Sequence, residues 1–234
     1  MRRVVILLAA MVSLAVLATA AGADGPTATY QVTITDGTGG QWLTPPAAVT
    51  HNPHFDLFSS GNSATVAVKE IAENGNLAAA TGAFDLSPFV FDWVVAPSPS
   101  GPPPIAPGAS VTFEIGAPPR GLLSFASMLI CTNDGFTGVD SVRLPRSIGQ
   151  SMTYDLMAYD AGTELNTEAW ADLVPPCAQL TGFGDQGGTG VSDPALAENG
   201  VIAMHSGITG VADLVPAVHG WTDPVGTIEI TRVG

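Results

Sequence analysis

The chain has 234 residues, 21 of them acidic against only seven basic, and a formal charge of −14. That balance argues against nucleic acid and anionic membrane surfaces as partners, since a like-charged polyanion is repelled. It suits cation binding, solubility or a salty medium, and the length suffices for one sizeable core.

Met1-Arg2-Arg3 is a basic n-region, and residues 4–17 form an apolar run broken only by Ser13. Small residues come next, at Ala18-Thr19-Ala20 and Ala21-Gly22-Ala23. Residues 1–23 therefore read as a secretory signal peptide, too short for a transmembrane anchor. The mature chain is expected to start at Asp24, with Ala21 as the alternative, and to be a single domain over residues 24–234. It is expected to be secreted, extracellular or periplasmic, without membrane insertion. Loss of Arg2 and Arg3 leaves five basic residues against all 21 acidic ones.

Strands dominate the rest of the chain. Residues 29–35 alternate strictly, with Tyr30, Val32 and Ile34 on one face, and residues 227–233 repeat the pattern with Ile228 and Ile230. Period-two alternation marks strands with one wet face. Further strands are predicted at residues 90–95, 110–115, 122–130 and 152–159, the third apolar almost throughout. One amphipathic helix is predicted over residues 64–72, capped by Ser63 and ended by Asn74-Gly75. Shorter helical turns are predicted at 167–172, capped by Asn166, and at 194–198, with Asp193 as N-cap and Pro194 first in the helix. Residues 96–108, rich in proline and serine, read as an extended surface loop. The repeated Ala-Glu-Asn-Gly at 72–75 and 197–200 reads as shared helix-end chemistry. The fold class is mainly β: an antiparallel sandwich with one or two short accessory helices.

Cys131 and Cys177 lie in a chain read as secreted, so a disulfide is expected, with two buried free thiols as the alternative. Their loop spans two acidic stretches, Val139-Asp140-Ser141 and Tyr159-Asp160-Ala161-Gly162-Thr163-Glu164. Each stretch comes after a run that reads as a strand, which places Asp140, Asp160 and Glu164 where strands meet loops. Such carboxylates repel one another unless protons or a hard cation neutralise them, and calcium is the usual ion where oxygen is the only donor. Solvated loop-end carboxylates are the alternative. Asn133-Asp134-Gly135 reads as an ordinary tight turn, and residues 182–193 as a flexible glycine-rich loop.

His51-Asn52-Pro53-His54 offers a second chemistry. Two histidines three apart, joined by His205 or His219, would suit zinc or copper, in a metal-handling protein or metal-dependent hydrolase. Pro53 prevents a regular helix between them. No Gly-x-Ser-x-Gly elbow or phosphate-cradling loop appears, and the chain is not expected to be an enzyme.

Four segments together resemble the spondin domain of F-spondin and mindin. They are the helical Val66-Ala67-Val68-Lys69-Glu70-Ile71-Ala72-Glu73-Asn74-Gly75, the apolar strand at 122–130, the pair Gly138-Val139-Asp140-Ser141 and Asp160-Ala161-Gly162-Thr163-Glu164, and the closing strand at 224–232. The Asp-Ala-Gly-Thr loop is the most specific of these. The resemblance implies a C2-like β-sandwich that holds one calcium ion through Asp140, Asp160 and Glu164, with glutamate where the family usually has aspartate. It also implies an adhesion or ligand-binding role towards a cell-surface partner such as a glycan.

Overall fold

A computed structural model describes residues 27–96, 104–184 and 188–234. The expected signal peptide and most of the segment read as a proline-serine loop lie outside the described residues. Among these residues nine strands form one strongly curved antiparallel sheet: β1 (Ala28–Asp36), β2 (Ala47–His51), β3 (Val90–Val95), β4 (Ser110–Ala117), β5 (Leu122–Met128), β6 (Gly135–Arg143), β7 (Ser151–Asp160), β8 (Ala203–Met204) and β9 (Gly226–Arg232). Their order is β3-β2-β5-β6-β7-β9-β1-β4, with β8 beside β7.

The long β7 turns the sheet on itself. Its first half pairs with β9, from Ser151 opposite Thr231 to Leu156 opposite Gly226. Its second half pairs with β6, from Met157 opposite Gly138 to Asp160 opposite Gly135. The outer strand β4 then meets β2 and β3 through side chains: Thr50 Oγ1 of β2 donates to the Gly116 carbonyl at 2.6 Å, and Asp92 Oδ2 of β3 accepts from the Gly116 N–H at 2.7 Å. The result is a nearly closed sandwich.

Its interior holds the alternating rows expected from sequence, Tyr30, Val32 and Ile34 of β1 with Ile228 and Ile230 of β9, packed on Phe113, Phe125 and Leu129. A second apolar cluster lies on the other face of β2, β5 and β6. There α1 (Val66–Asn74) and α2 (Ala78–Leu86) cover Val49, Met128 and Phe136 with Val68, Ile71 and Phe84.

Helix α1 starts two residues later than predicted: Thr65, not Ser63, caps it by accepting from the Val68 N–H. It ends as predicted at Gly75, in the left-handed conformation (φ 62°). Among the described residues four short α-helices form, against the one or two expected, with α3 at Pro176–Thr181 and α4 at Pro216–His219. Asp193 caps a 3-10 turn at Pro194–Leu196 as predicted. The turn expected at 167–172 shrinks to Trp170–Asp172 because Glu168 adopts φ 56°. The second Ala-Glu-Asn-Gly ends this kind of turn, not an α-helix, and its Gly200 N–H bonds the Gly162 carbonyl.

No helix among the described residues is long and apolar enough to cross a membrane. The sandwich has two ends. At one lie the end of β7 and the start of β6; at the other lie the ends of β4, β6 and β9 and the start of β1.

Candidate metal centre

The first end gathers carboxylates. Asp134 sits at the tip of the β5–β6 turn, which Thr132 closes: its hydroxyl donates to the Leu129 carbonyl at 2.6 Å and accepts the Gly135 N–H at 2.8 Å. The Asp134 side chain is fully buried. Its Oδ2 accepts the Thr163 N–H (2.7 Å), the Thr163 hydroxyl (3.1 Å) and the Glu164 N–H (3.0 Å), whereas Oδ1 has no partner. Burial, then the neighbouring Asp160 charge, push its pKa up to about 6.

Asp160 ends β7 opposite Gly135. Its Oδ1 accepts the Gly162 N–H at 2.7 Å in an Asx turn, and its Oδ2 accepts the Asn166 amide at 2.5 Å. Gly162 makes this loop possible. It has φ 66°, and a Cβ there would lie 2.6 Å from the Val201 backbone N and O. Gly162→Ala is expected to cost about 2 kcal/mol, combining left-handed strain with the clash. Urea denaturation measures it, and an unchanged midpoint would show that the loop yields freely.

Glu164 is buried and bridges to Ala197. It lines a cavity of about 120 Å³ together with Glu73, Asp172 and Asp193. Burial first, and the Glu73 charge second, push its pKa up to about 8, against a hydrogen bond from the Asp193 backbone. Glu73 of α1 is itself buried. Lys69 stands 3.6 Å from one of its oxygens, and the other has no partner. His205 lies nearby against Trp221, with Nδ1 accepting the Gly207 N–H and Nε2 unpartnered. Burial holds its pKa low against the upward pull of Asp160, Glu168 and Asp223. Among the described residues no three carboxylates bring an oxygen each within 4.8 Å of one another.

Asp140 belongs elsewhere. It lies inside β6, not at a strand end, five residues beyond the Gly135 that faces Asp160. At a rise of about 3.3 Å per residue it is roughly 16 Å away. Leu123 pairs with Val142 and Phe125 with Val139, so Ser124 alone opposes Asp140 and Ser141 in a β-bulge, with Ser141 at φ 55°. Asp140 Oδ1 accepts the Ser124 hydroxyl (3.0 Å) and the Leu57 N–H (2.9 Å), tying the bulge to the loop before α1. The structure thus joins Asp160 and the Glu164 backbone to Asp134, read from sequence as a plain turn, and leaves Asp140 apart.

The histidines do not converge. His51 is buried, with Nδ1 at 2.9 Å from the Asn52 carbonyl and Nε2 at 2.7 Å from Ser124 Oγ. His54 is exposed against Phe89. Cys131 and Cys177 are joined, with Cα atoms 5.1 Å apart, and fasten the β5–β6 turn to α3. His219 is buried beside them, its donor nitrogen within 4.8 Å of both sulfurs.

A family model described as Spondin_N matches residues 39–170, more than half of the chain. The chain belongs to the Spondin_N family. The match contains Asp134, Asp160 and Glu164, while β1 and β9, the latter one of the segments that carry the resemblance, lie outside it. No curated protein matches the chain. Within this Spondin_N domain the aspartate before Gly135 was visible in the sequence. It does lie in a tight turn as read; its position beside Asp160 across the β6–β7 pair becomes visible only with the register.

Proposed function

We propose that this Spondin_N chain is a secreted, non-catalytic binding or adhesion module whose acidic end holds one calcium ion. Asp134 and Asp160 would supply carboxylate oxygens, and Glu164 a third after a side-chain turn. The observation that carries the reading is the buried Asp134 carboxylate, with an unpartnered oxygen beside a second carboxylate, Asp160. Hard oxygen donors with flexible geometry suit calcium better than zinc or copper. The disulfide and family membership fit an oxidising extracellular compartment. The ligand would be extracellular or on a cell surface, a glycan being one class.

Melting in EDTA, calcium, magnesium and zinc tests this. Calcium at about 100 times Kd adds about 2.7 kcal/mol to the folded state. The expected result is a calcium-specific rise in Tm that is lost in Asp134→Asn and Asp160→Asn. Asp140→Ala melts lower, because the Leu57 N–H and Ser124 lose their acceptor, yet keeps the calcium rise. No calcium rise in the wild type, or a rise abolished by Asp140→Ala and untouched by Asp134→Asn, refutes the assignment.

A further inference from the structure

The opposite end of the sandwich carries the reverse charge. The four arginines among the described residues, Arg120, Arg143, Arg146 and Arg232, all line one cleft of about 470 Å³, and no carboxylate side chain lines it. None of the four makes an ion pair with an acidic side chain among the described residues, in a chain with 21 acidic residues to choose from. Scattered arginines would normally find such partners, so their segregation into one concavity is the observation to explain.

Each arginine is placed by a different element. Arg232 continues the inward row Ile228, Ile230 of β9 and stands opposite Tyr30 in the register, so it lies where the core opens to solvent. Its Nε donates to the Gly234 backbone oxygen at 3.0 Å, and its Nη1 to the Arg146 carbonyl. Arg143 ends β6, and its carbonyl accepts the Tyr154 hydroxyl at 2.8 Å. Arg146 comes after the buried Leu144 and Pro145, and its N–H is bound by Gln150.

Arg120 sits in the β4–β5 turn Pro118-Pro119-Arg120-Gly121, closed by the Gly121 N–H to the Pro118 carbonyl at 3.0 Å. Its φ is 70°. That position of a type II turn calls for glycine or asparagine. An arginine held in a strained conformation at the rim of a cleft points to a role for its side chain. Tyr30, Leu122, Leu144, Pro119 and Pro145 give the cleft an apolar floor and walls.

We propose that this cleft binds a compact organic ester of phosphate or sulfate. Guanidinium groups bind tetrahedral oxyanions through paired hydrogen bonds, and a cleft of this size fits a small molecule. The apolar floor takes the organic scaffold while the arginines take the anion. A long polyanion is disfavoured, because the acidic remainder of the surface would repel it along most of its length. The site is independent of the calcium reading.

Calorimetric titration at low salt with glucose 6-phosphate and glucose 6-sulfate, and with glucose and inorganic phosphate as controls, tests the assignment. The expected result is saturable binding of at least one ester, about tenfold or more tighter than glucose, weakening as salt rises. The preferred ester tells phosphate from sulfate. Arg120→Gly is the decisive variant: glycine relieves the strained turn, so Tm holds or rises while affinity falls severalfold. Arg143→Gln/Arg146→Gln also weakens binding, and Lys69→Gln, at the far end, does not. Absence of ester binding, or affinity unchanged in Arg120→Gly and Arg143→Gln/Arg146→Gln, overturns the proposal. So does self-association that depends on these arginines and is not competed by either ester, which would make a second copy the occupant.

Discussion

Replacing both Cys131 and Cys177 by alanine is expected to lower the unfolding free energy by about 4 kcal/mol, a large share of the stability of a domain this size. The bridge closes a loop with a sequence separation of 46. In the chain-entropy account, a loop of this length restricts the unfolded ensemble by about that amount. The native side supports the same direction. Among the described residues between Glu164 and Gly200 the regular structure is α3 and two 3-10 turns, and the segment supplies Asp172 and Asp193 to the acidic cavity. The disulfide is its covalent tie to the sheet. On the other side of the bridge, Gln41 clamps Cys131 without it: Nε2 donates to the Cys131 and His219 carbonyls, and Oε1 accepts the Cys131 N–H. The β5–β6 turn therefore stays formed in the variant while α3 loosens. Urea denaturation of wild type and variant measures the difference. A loss below about 1 kcal/mol would mean that packing of Leu173 and Val174 already holds α3, with the loop-entropy term offset elsewhere.

The frame of the fold was legible where local pattern and tertiary demand agree. Alternation in β1 and β9 sets one face of the core, and the apolar run of β5 marks a strand covered on both faces. The Asn74-Gly75 stop of α1 and the Asp193 cap arise from side-chain chemistry within a few residues. What escaped depends on neighbours distant in sequence. β6 opens with Gly135 and Gly138, poor strand formers, yet a Cβ at Gly138 would lie 2.1 Å from the Phe125 carbonyl oxygen, so close strand approach requires glycine. α2 is short and contains Gly82, and it owes its place to Phe84, buried between Phe55 and Trp93. The same logic separates Asp134 from Asp140. Locally, one is a turn aspartate and the other resembles a loop-end ligand. The register gives them different surroundings: the N–H groups that meet Asp134 come from Thr163 and Glu164, and the groups that meet Asp140 come from Leu57 and Ser124.

Without calcium, the protein is expected to lose stability as pH rises from 5 to 8.5, and Glu164→Gln is expected to remove much of that loss. Glu164 has its pKa raised from 4.5 to about 8 in the folded chain, by burial and then by Glu73. An acid with a raised folded pKa keeps its proton in the native state while the unfolded chain has released it, so stability falls with pH between the two values. At about 1.4 kcal/mol per unit of pH, discounted by roughly a third for solvent screening, Glu164 contributes a fall of about 3 kcal/mol. Asp134 and Asp36, both raised to about 6 chiefly by burial, add to the fall at its acid end. His205 and His219, held low by burial, act oppositely below about pH 6.5. All four are present in both proteins, so the difference between wild type and Glu164→Gln isolates the one carboxyl. Under the proposed function calcium would replace the proton as the neutralising charge, so its stabilisation of the wild type is expected to grow with pH and flatten the profile. Paired urea titrations at several pH values, with EDTA and with calcium, read both effects. Parallel profiles for wild type and Glu164→Gln in EDTA would show that Glu164 is already ionised in the folded chain at neutral pH, and the cavity beside Glu73 would then not be the place where the cation is needed.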